Sequence, residues 1–154
     1  MLDQFDEVTD DLGYGDANDV GRSPYEMLIV ASMVEEEARL PEDQAKIARV
    51  IYNRLDQGMA LGIDATLLYE IGQKADLTES DLATDSPYNT RLNTGLPPTP
   101  ITNPGRGALD AAIHPADGPW LYYVLADEKG GHFFTDDYDE FLRQKQESED
   151  KGLF

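Results

Sequence analysis

One stretch limits the possible folds more than any other: Ser23-Pro24-Tyr25-Glu26, followed by the apolar or small run Met27 to Val34 and then Glu35-Glu36-Glu37. A serine able to cap, a proline at the first helical position and a glutamate at the third form a capping box, so a helix starts here. The run after it is apolar on every side rather than along one stripe, so the helix belongs in a core and not on a surface. Other elements must surround it, and its polar end must emerge at a wall of that core.

Other elements can be read on both sides. Before it, Leu2, Phe5, Val8 and Leu12 recur at near-helical spacing in an acidic segment that ends in a Gly- and Asp-rich link. After it, Pro41 can open a helix carrying an Ile47, Ile51, Leu55 stripe, with Gly58 closing it. Asp64 is suited to cap a short helix through Tyr69, and Thr78 with Asp81 offers a second capping box. Residues 85–105 are rich in Pro, Gly, Asn, Ser and Thr and lack periodicity, and so long a loop in a small domain is usually functional or mobile. Asn103-Pro104 then suggests a helix start running to about Ile113, ended by His114-Pro115.

Downstream the pattern changes to strands. Trp120 to Ala126 is aromatic and β-branched, Asp127 to Gly131 is turn chemistry and His132 to Thr135 is strand-like again, which predicts a β-hairpin. A helix over about Tyr138 to Glu147 follows. At 154 residues, with 40% hydrophobic content, the chain can bury one core. The expected class is α+β: a helix-rich single domain with a hairpin near its C-terminal end and a long Pro/Gly-rich loop. Residues 1–22 form an acidic helix and link, 23–147 the main domain and 148–154 a tail.

Charge and residue types remove several function classes. Twelve basic against thirty-one acidic residues give a net charge of −19, which repels nucleic acid and anionic lipid headgroups. Without cysteine there is no thiolate catalysis or thiolate metal site, and His114 and His132 have no ligand-like spacing, so no metal or other cofactor is expected. No run approaches the roughly twenty apolar residues needed to span a bilayer. No membrane contact is expected from this domain itself.

Glu35 is the candidate that carries chemistry. On a helix it shares a face with Leu28, Ala31 and Ser32, so its carboxyl stands at the wall of the core or of a cleft. Burial there would favour the protonated form, as a proton donor near neutral pH requires. The alternative is that 34–37 is simply where an apolar helix reaches solvent. Asn53-Arg54 could be a polar helix face, and Ser86-Pro87-Tyr88-Asn89-Thr90 with Gly95-Leu96-Pro97-Pro98 could be loop scaffold or a rim of amides and hydroxyls suited to sugar.

The order of these blocks narrows the choice. Ala31-Ser32-Met33-Val34-Glu35-Glu36-Glu37-Ala38, Val50-Ile51-Tyr52-Asn53-Arg54-Leu55, Asp64-Ala65-Thr66, 86–90, Gly95 to Ile101, Asn103-Pro104-Gly105, Leu121-Tyr122-Tyr123-Val124 and Gly130 to Thr135 together resemble the YceG-like family of endolytic murein transglycosylases. The likeness covers about Ser23 to Phe141. Four positions depart from it: Glu36, Ala65, Thr99 and His114 stand where lysine, proline, glycine and asparagine are common.

The resemblance implies a lytic transglycosylase that cuts the bond between N-acetylmuramic acid and N-acetylglucosamine within peptidoglycan strands. It does so without water and leaves 1,6-anhydro ends. Glu35 matches the family's catalytic glutamate, with Glu37 the runner-up. Asn53, Asp64, Tyr88, Asn89, Thr90 and His132 are the expected substrate-binding residues, and loss of the Tyr88 or Asn89 side chain is expected to lower turnover with the fold intact. It further implies an enzyme at the outer face of a bacterial membrane, held by an N-terminal transmembrane helix outside this chain, with peptidoglycan strands and the synthesis machinery as partners. The alternatives are a noncatalytic peptidoglycan-binding module and a glycan hydrolase, for which Asp64 would be the second carboxylate.

Overall fold

A computed structural model describes residues 2–14, 20–73 and 76–154, and for Leu2 and Asp3 the backbone alone. The described residues form seven α-helices, one 3-10 turn and one two-stranded antiparallel sheet. The centre is α2, Pro24–Glu37, and it begins as its sequence dictates: Ser23 Oγ accepts from the Glu26 amide while the Glu26 carboxylate accepts from the Ser23 amide. Met27 and every residue from Ile29 to Val34 are buried, with Leu28 partly so. The all-round apolar pattern is therefore matched by neighbours on all sides.

Those neighbours are α3, Gln44–Asp56, and α6, Arg106–Ile113, which also touch each other, so three helices enclose the core. α3 turns Ile47, Ala48, Ile51 and Tyr52 inward, and the Tyr52 hydroxyl donates to the Ala112 carbonyl at 2.6 Å, tying α3 to α6. Pro41 starts a 3-10 turn, Pro41–Asp43, rather than α3 itself. α1, Leu2–Leu12, lies on α6, with Phe5, Val8 and Leu12 against the core. The Gly- and Asp-rich link at 15–19 lies outside the described residues.

Two expected caps are not formed. Asp64 is the first residue inside α4, Asp64–Ile71, whose N-cap is Ile63, and its carboxylate instead pairs with Arg91 at 2.7 Å. α6 begins two residues beyond Pro104, and its N-cap is Gly105, because the loop continues until Gly105 has presented its amide elsewhere. The Thr78 and Asp81 capping box is present, starting the single turn of α5, Glu79–Leu82.

Residues 85–105 form turns and extended chain without regular structure. The hairpin pairs β1, Tyr122–Leu125, with β2, His132–Thr135, in the register Tyr123 to Phe134 and Leu125 to His132. Asp127 accepts from the Lys129 and Gly131 amides and shapes the turn. α7, Tyr138–Asp150, packs on the hairpin and runs three residues past the expected end, with Ser148 buried. No helix among the described residues is long and apolar enough to cross a membrane.

Candidate active site

α2 ends in three acids, and helix geometry separates them. At about 100° per residue, Glu35 and Glu37 point to nearly opposite sides. Glu36 between them is exposed. The two candidate acids therefore belong to two different environments.

Glu35 faces α6 and α1. Its Oε1 accepts a 2.7 Å hydrogen bond from the Gly105 amide, at the N-terminal end of α6. The first amides of a helix lack intrahelical partners, so this one is available to hold a side-chain oxygen. The approach is close: a Cβ at 105 would sit 3.0 Å from Glu35 Oε1, so a larger residue would require the carboxylate to shift by a few tenths of an ångström. The carboxylate opens on a cleft of about 290 Å³ bounded by Asn103, Pro104 and Arg106 on one side and by Gln4, Phe5 and Val8 of α1 on the other. Arg106 is held at the rim by a 2.7 Å ion pair with Asp11. Ser32, one turn before Glu35, donates to the Ile29 carbonyl and accepts from the Ile101 amide at 3.1 Å, which fixes the 99–105 segment against α2.

Glu37 faces the hairpin. Its Oε1 accepts from the Tyr123 hydroxyl at 2.8 Å. Burial pushes the Glu37 pKa above the usual carboxylate range; the Tyr123 hydrogen bond pulls it back, and the nearby charges of Asp64 and Glu36 raise it again. Burial also pushes the Tyr123 hydroxyl well up, helped by the charge of Glu37, so it stays a donor. An acid with a raised pKa in the fold favours the protonated form. Its stabilising effect is fully present below the ordinary carboxylate pKa and is lost as pH rises through the raised value. Glu37→Gln should accordingly flatten the alkaline side of the melting-temperature profile above the carboxylate range. Superimposable profiles would mean that ionising Glu37 costs the fold nothing.

Asp64 belongs with Glu37 and does not line the Glu35 cleft. Its ion pair with Arg91 is about half exposed on both sides, so it contributes little stability. Asn53 serves the backbone, donating to the Gly118 and Trp120 carbonyls at 3.0 and 2.9 Å and so holding the approach to β1. The neighbouring Arg54 donates to the Leu121, Ala60 and Leu61 carbonyls.

Three of the other expected substrate ligands also face inward. Asn89 is 1% exposed, donates to the Leu82 and Thr84 carbonyls and accepts from the Arg91 amide. Thr90 is buried and bonds to the amide and carbonyl of Ile63 and to the Thr66 hydroxyl. The His132 Nδ1 lies 3.2 Å from Asp43 Oδ2, with both side chains under a tenth exposed. Tyr88 is half-buried, its hydroxyl 2.8 Å from that of Thr99 and its ring 5.2 Å from Tyr69. The polar contacts described for these four residues are made within the protein, and none of the four lines the cleft at Glu35. We expect Asn89→Ala to lower stability by roughly 2 kcal/mol, because two part-buried carbonyls and one amide lose their partner. A denaturant midpoint equal to that of the unmodified chain would return Asn89 to the role of a ligand.

Phe5 and Tyr123 could be read only as stripe and strand residues, and Arg91, Asp43, the Gly105 amide and Gln4 carried no signal for a place at these contacts. All act across long sequence separations, which spacing cannot reveal. Asn103-Pro104-Gly105 was visible as a helix start and as one block of the family resemblance, not as the partner of Glu35.

The model of the YceG-like family matches residues 1–147, and the chain belongs to that family. It is 44% identical over 125 residues to an endolytic murein transglycosylase of Bacillus subtilis, covering 80% of this chain and 34% of that protein. It is 34% identical over 128 residues to an endolytic murein transglycosylase of Streptococcus pneumoniae, covering 79% of this chain and 23% of that one. The chain thus spans about a third or less of the length of these relatives. A crystal structure of a YceG-like protein from Listeria monocytogenes superposes with a TM-score of 0.75 at 34% identity, covering 92% of this chain and 44% of that one. The helix-rich α+β arrangement is therefore that of a solved relative.

Proposed function

We propose that this chain is the catalytic part of a lytic transglycosylase that cleaves peptidoglycan strands between N-acetylmuramic acid and N-acetylglucosamine, with Glu35 moving the proton. The observation that carries the reading is a carboxyl group anchored through one oxygen by the Gly105 amide and open to a cleft about 290 Å³ in volume. The names of the relatives support murein as the substrate.

One carboxyl group suffices for the reaction. Protonated Glu35 gives its proton to the glycosidic oxygen as the bond from the muramic acid C1 breaks, and N-acetylglucosamine leaves with a free hydroxyl. The resulting carboxylate takes the proton of the C6 hydroxyl of the same muramic acid, whose oxygen closes on C1. Water does not enter, Glu35 ends protonated and the product carries a 1,6-anhydro bridge. The Gly105 amide fixes the direction of the carboxyl in both steps.

A hydrolase would need a second carboxylate to activate water or attack C1. Asp64, the candidate, is paired with Arg91 away from the Glu35 cleft, which favours the one-carboxyl route. Digestion in heavy-oxygen water separates the two, since a hydrolase puts the label in every new end and the proposed reaction puts it in none. A purely binding role is disfavoured by the same anchored acid. It would be supported by strand binding unchanged in Glu35→Gln with no new ends. Action on murein places the reaction outside the cytoplasmic membrane, next to the machinery that synthesises the strands.

A further inference from the structure

The cleft at Glu35 continues beyond the carboxylate. Phe5, Asn103 and Pro104 also line a second cleft of about 320 Å³, so the two form one groove along the 100–104 segment. Tyr69 and Thr102 line the second part and not the first. Tyr69 is 49% exposed although it is a large aromatic side chain. α4 holds it there, because Thr66 and Leu67 of the same helix are buried and leave Tyr69 on the outer side. Its ring leans on Tyr88 at 5.2 Å and 46°, which supports one face and limits its motion. The Tyr88 hydroxyl is in turn fixed by Thr99.

The chemistry of this second cleft is selective. None of its lining residues is charged: the aromatic Phe5 and Tyr69, the aliphatic Leu28 and Ile101 and two prolines are joined by Thr102 and Asn103 as short polar groups. That mixture suits the apolar face and the equatorial hydroxyls and amide of an uncharged N-acetylhexosamine ring. It does not suit a polyanion, which the net charge of −19 would also repel.

We propose that Tyr69 is an aromatic platform for an N-acetylglucosamine ring of the strand, at a subsite separated from Glu35 by the Phe5 and Pro104 portion of the groove. The proposal rests on Glu35 being the cleavage point. It makes Tyr69 a substrate-binding residue and gives the 100–104 segment the strand's direction.

Chitohexaose is the probe, titrated calorimetrically into Glu35→Gln and into the same chain also carrying Tyr69→Ala or Tyr69→Trp. Alanine should weaken binding about tenfold while tryptophan keeps it. Equal affinity for all three, or no binding of chitohexaose by Glu35→Gln, would overturn the platform. If Tyr69→Ala melts early, saturation transfer between the Tyr69 ring and sugar protons in Glu35→Gln decides instead, and its absence counts against the proposal. Digestion of sacculi by the unmodified chain is read separately. Anhydro ends with Tyr69-independent binding would sink only the platform, and Tyr69-dependent binding without any new ends would sink only the cleavage.

Discussion

Glu35→Gln should lower the rate of strand cleavage by roughly a hundredfold to ten-thousandfold, the usual contribution of a positioned general acid and base. Glutamine keeps the shape and an oxygen that can still accept from the Gly105 amide, so the melting temperature should stay close to that of the unmodified chain. The loss would then be chemical rather than structural. Glu37→Gln is the control from the same helix end. Its partner is the Tyr123 hydroxyl, on the other side of α2, and its removal should change turnover far less than removal of the Glu35 carboxyl. Reversed magnitudes in the two variants would transfer the acid role to Glu37, whose burial and raised pKa give it the protonated form such a role needs.

Asp43→Ala is expected to produce the largest loss of stability. Asp43 is buried in the 3-10 turn before α3, and one of its oxygens, Oδ2, accepts from the His132 amide at 2.9 Å and lies 3.2 Å from the His132 ring nitrogen. This contact links the start of α3 to the first residue of β2. Alanine would leave the part-buried His132 amide without its partner and remove the contact to the ring nitrogen, at a cost of roughly 3 kcal/mol. For a domain of this size that corresponds to a fall of about 6–12 °C in melting temperature. His132→Ala should cost less, since the amide bond to Asp43 survives. If Asp43→Ala melted normally and lost turnover, His132 would be a sugar ligand held by Asp43, as its sequence context first implied.

Local chemistry was the legible part of this chain. The Ser23 and Glu26 capping box, the buried run from Met27, the hairpin around Asp127 and the final helix all follow from residues within a few positions of one another. Two caps failed for one reason: Asp64 and Asn103-Pro104 have the residue types of caps, but distant groups set the backbone there. Arg91 takes the Asp64 carboxylate, and the contact between Gly105 and Glu35 delays α6.

The site was legible in part. Glu35 and Glu37 could both be named from the end of α2, but which wall each meets depends on where α6 and the hairpin dock. Asn53, Asn89 and Thr90 read as possible sugar ligands because side-chain amides and hydroxyls look the same in sequence whether they face a cleft or a backbone carbonyl. In the fold Asn53 bonds to the Gly118 and Trp120 carbonyls, Asn89 to those of Leu82 and Thr84, and Thr90 to that of Ile63. The part played by α1 had no sequence signal at all, since Phe5 and Val8 read only as a docking stripe and in fact bound the cleft as well.

Mass spectrometry of the muropeptides released from intact sacculi by this chain and by Glu35→Gln tests the central claim most directly. The account requires 1,6-anhydro ends from the unmodified chain and their disappearance with a folded Glu35→Gln variant. Reducing ends, or anhydro ends undiminished in that variant, would contradict it.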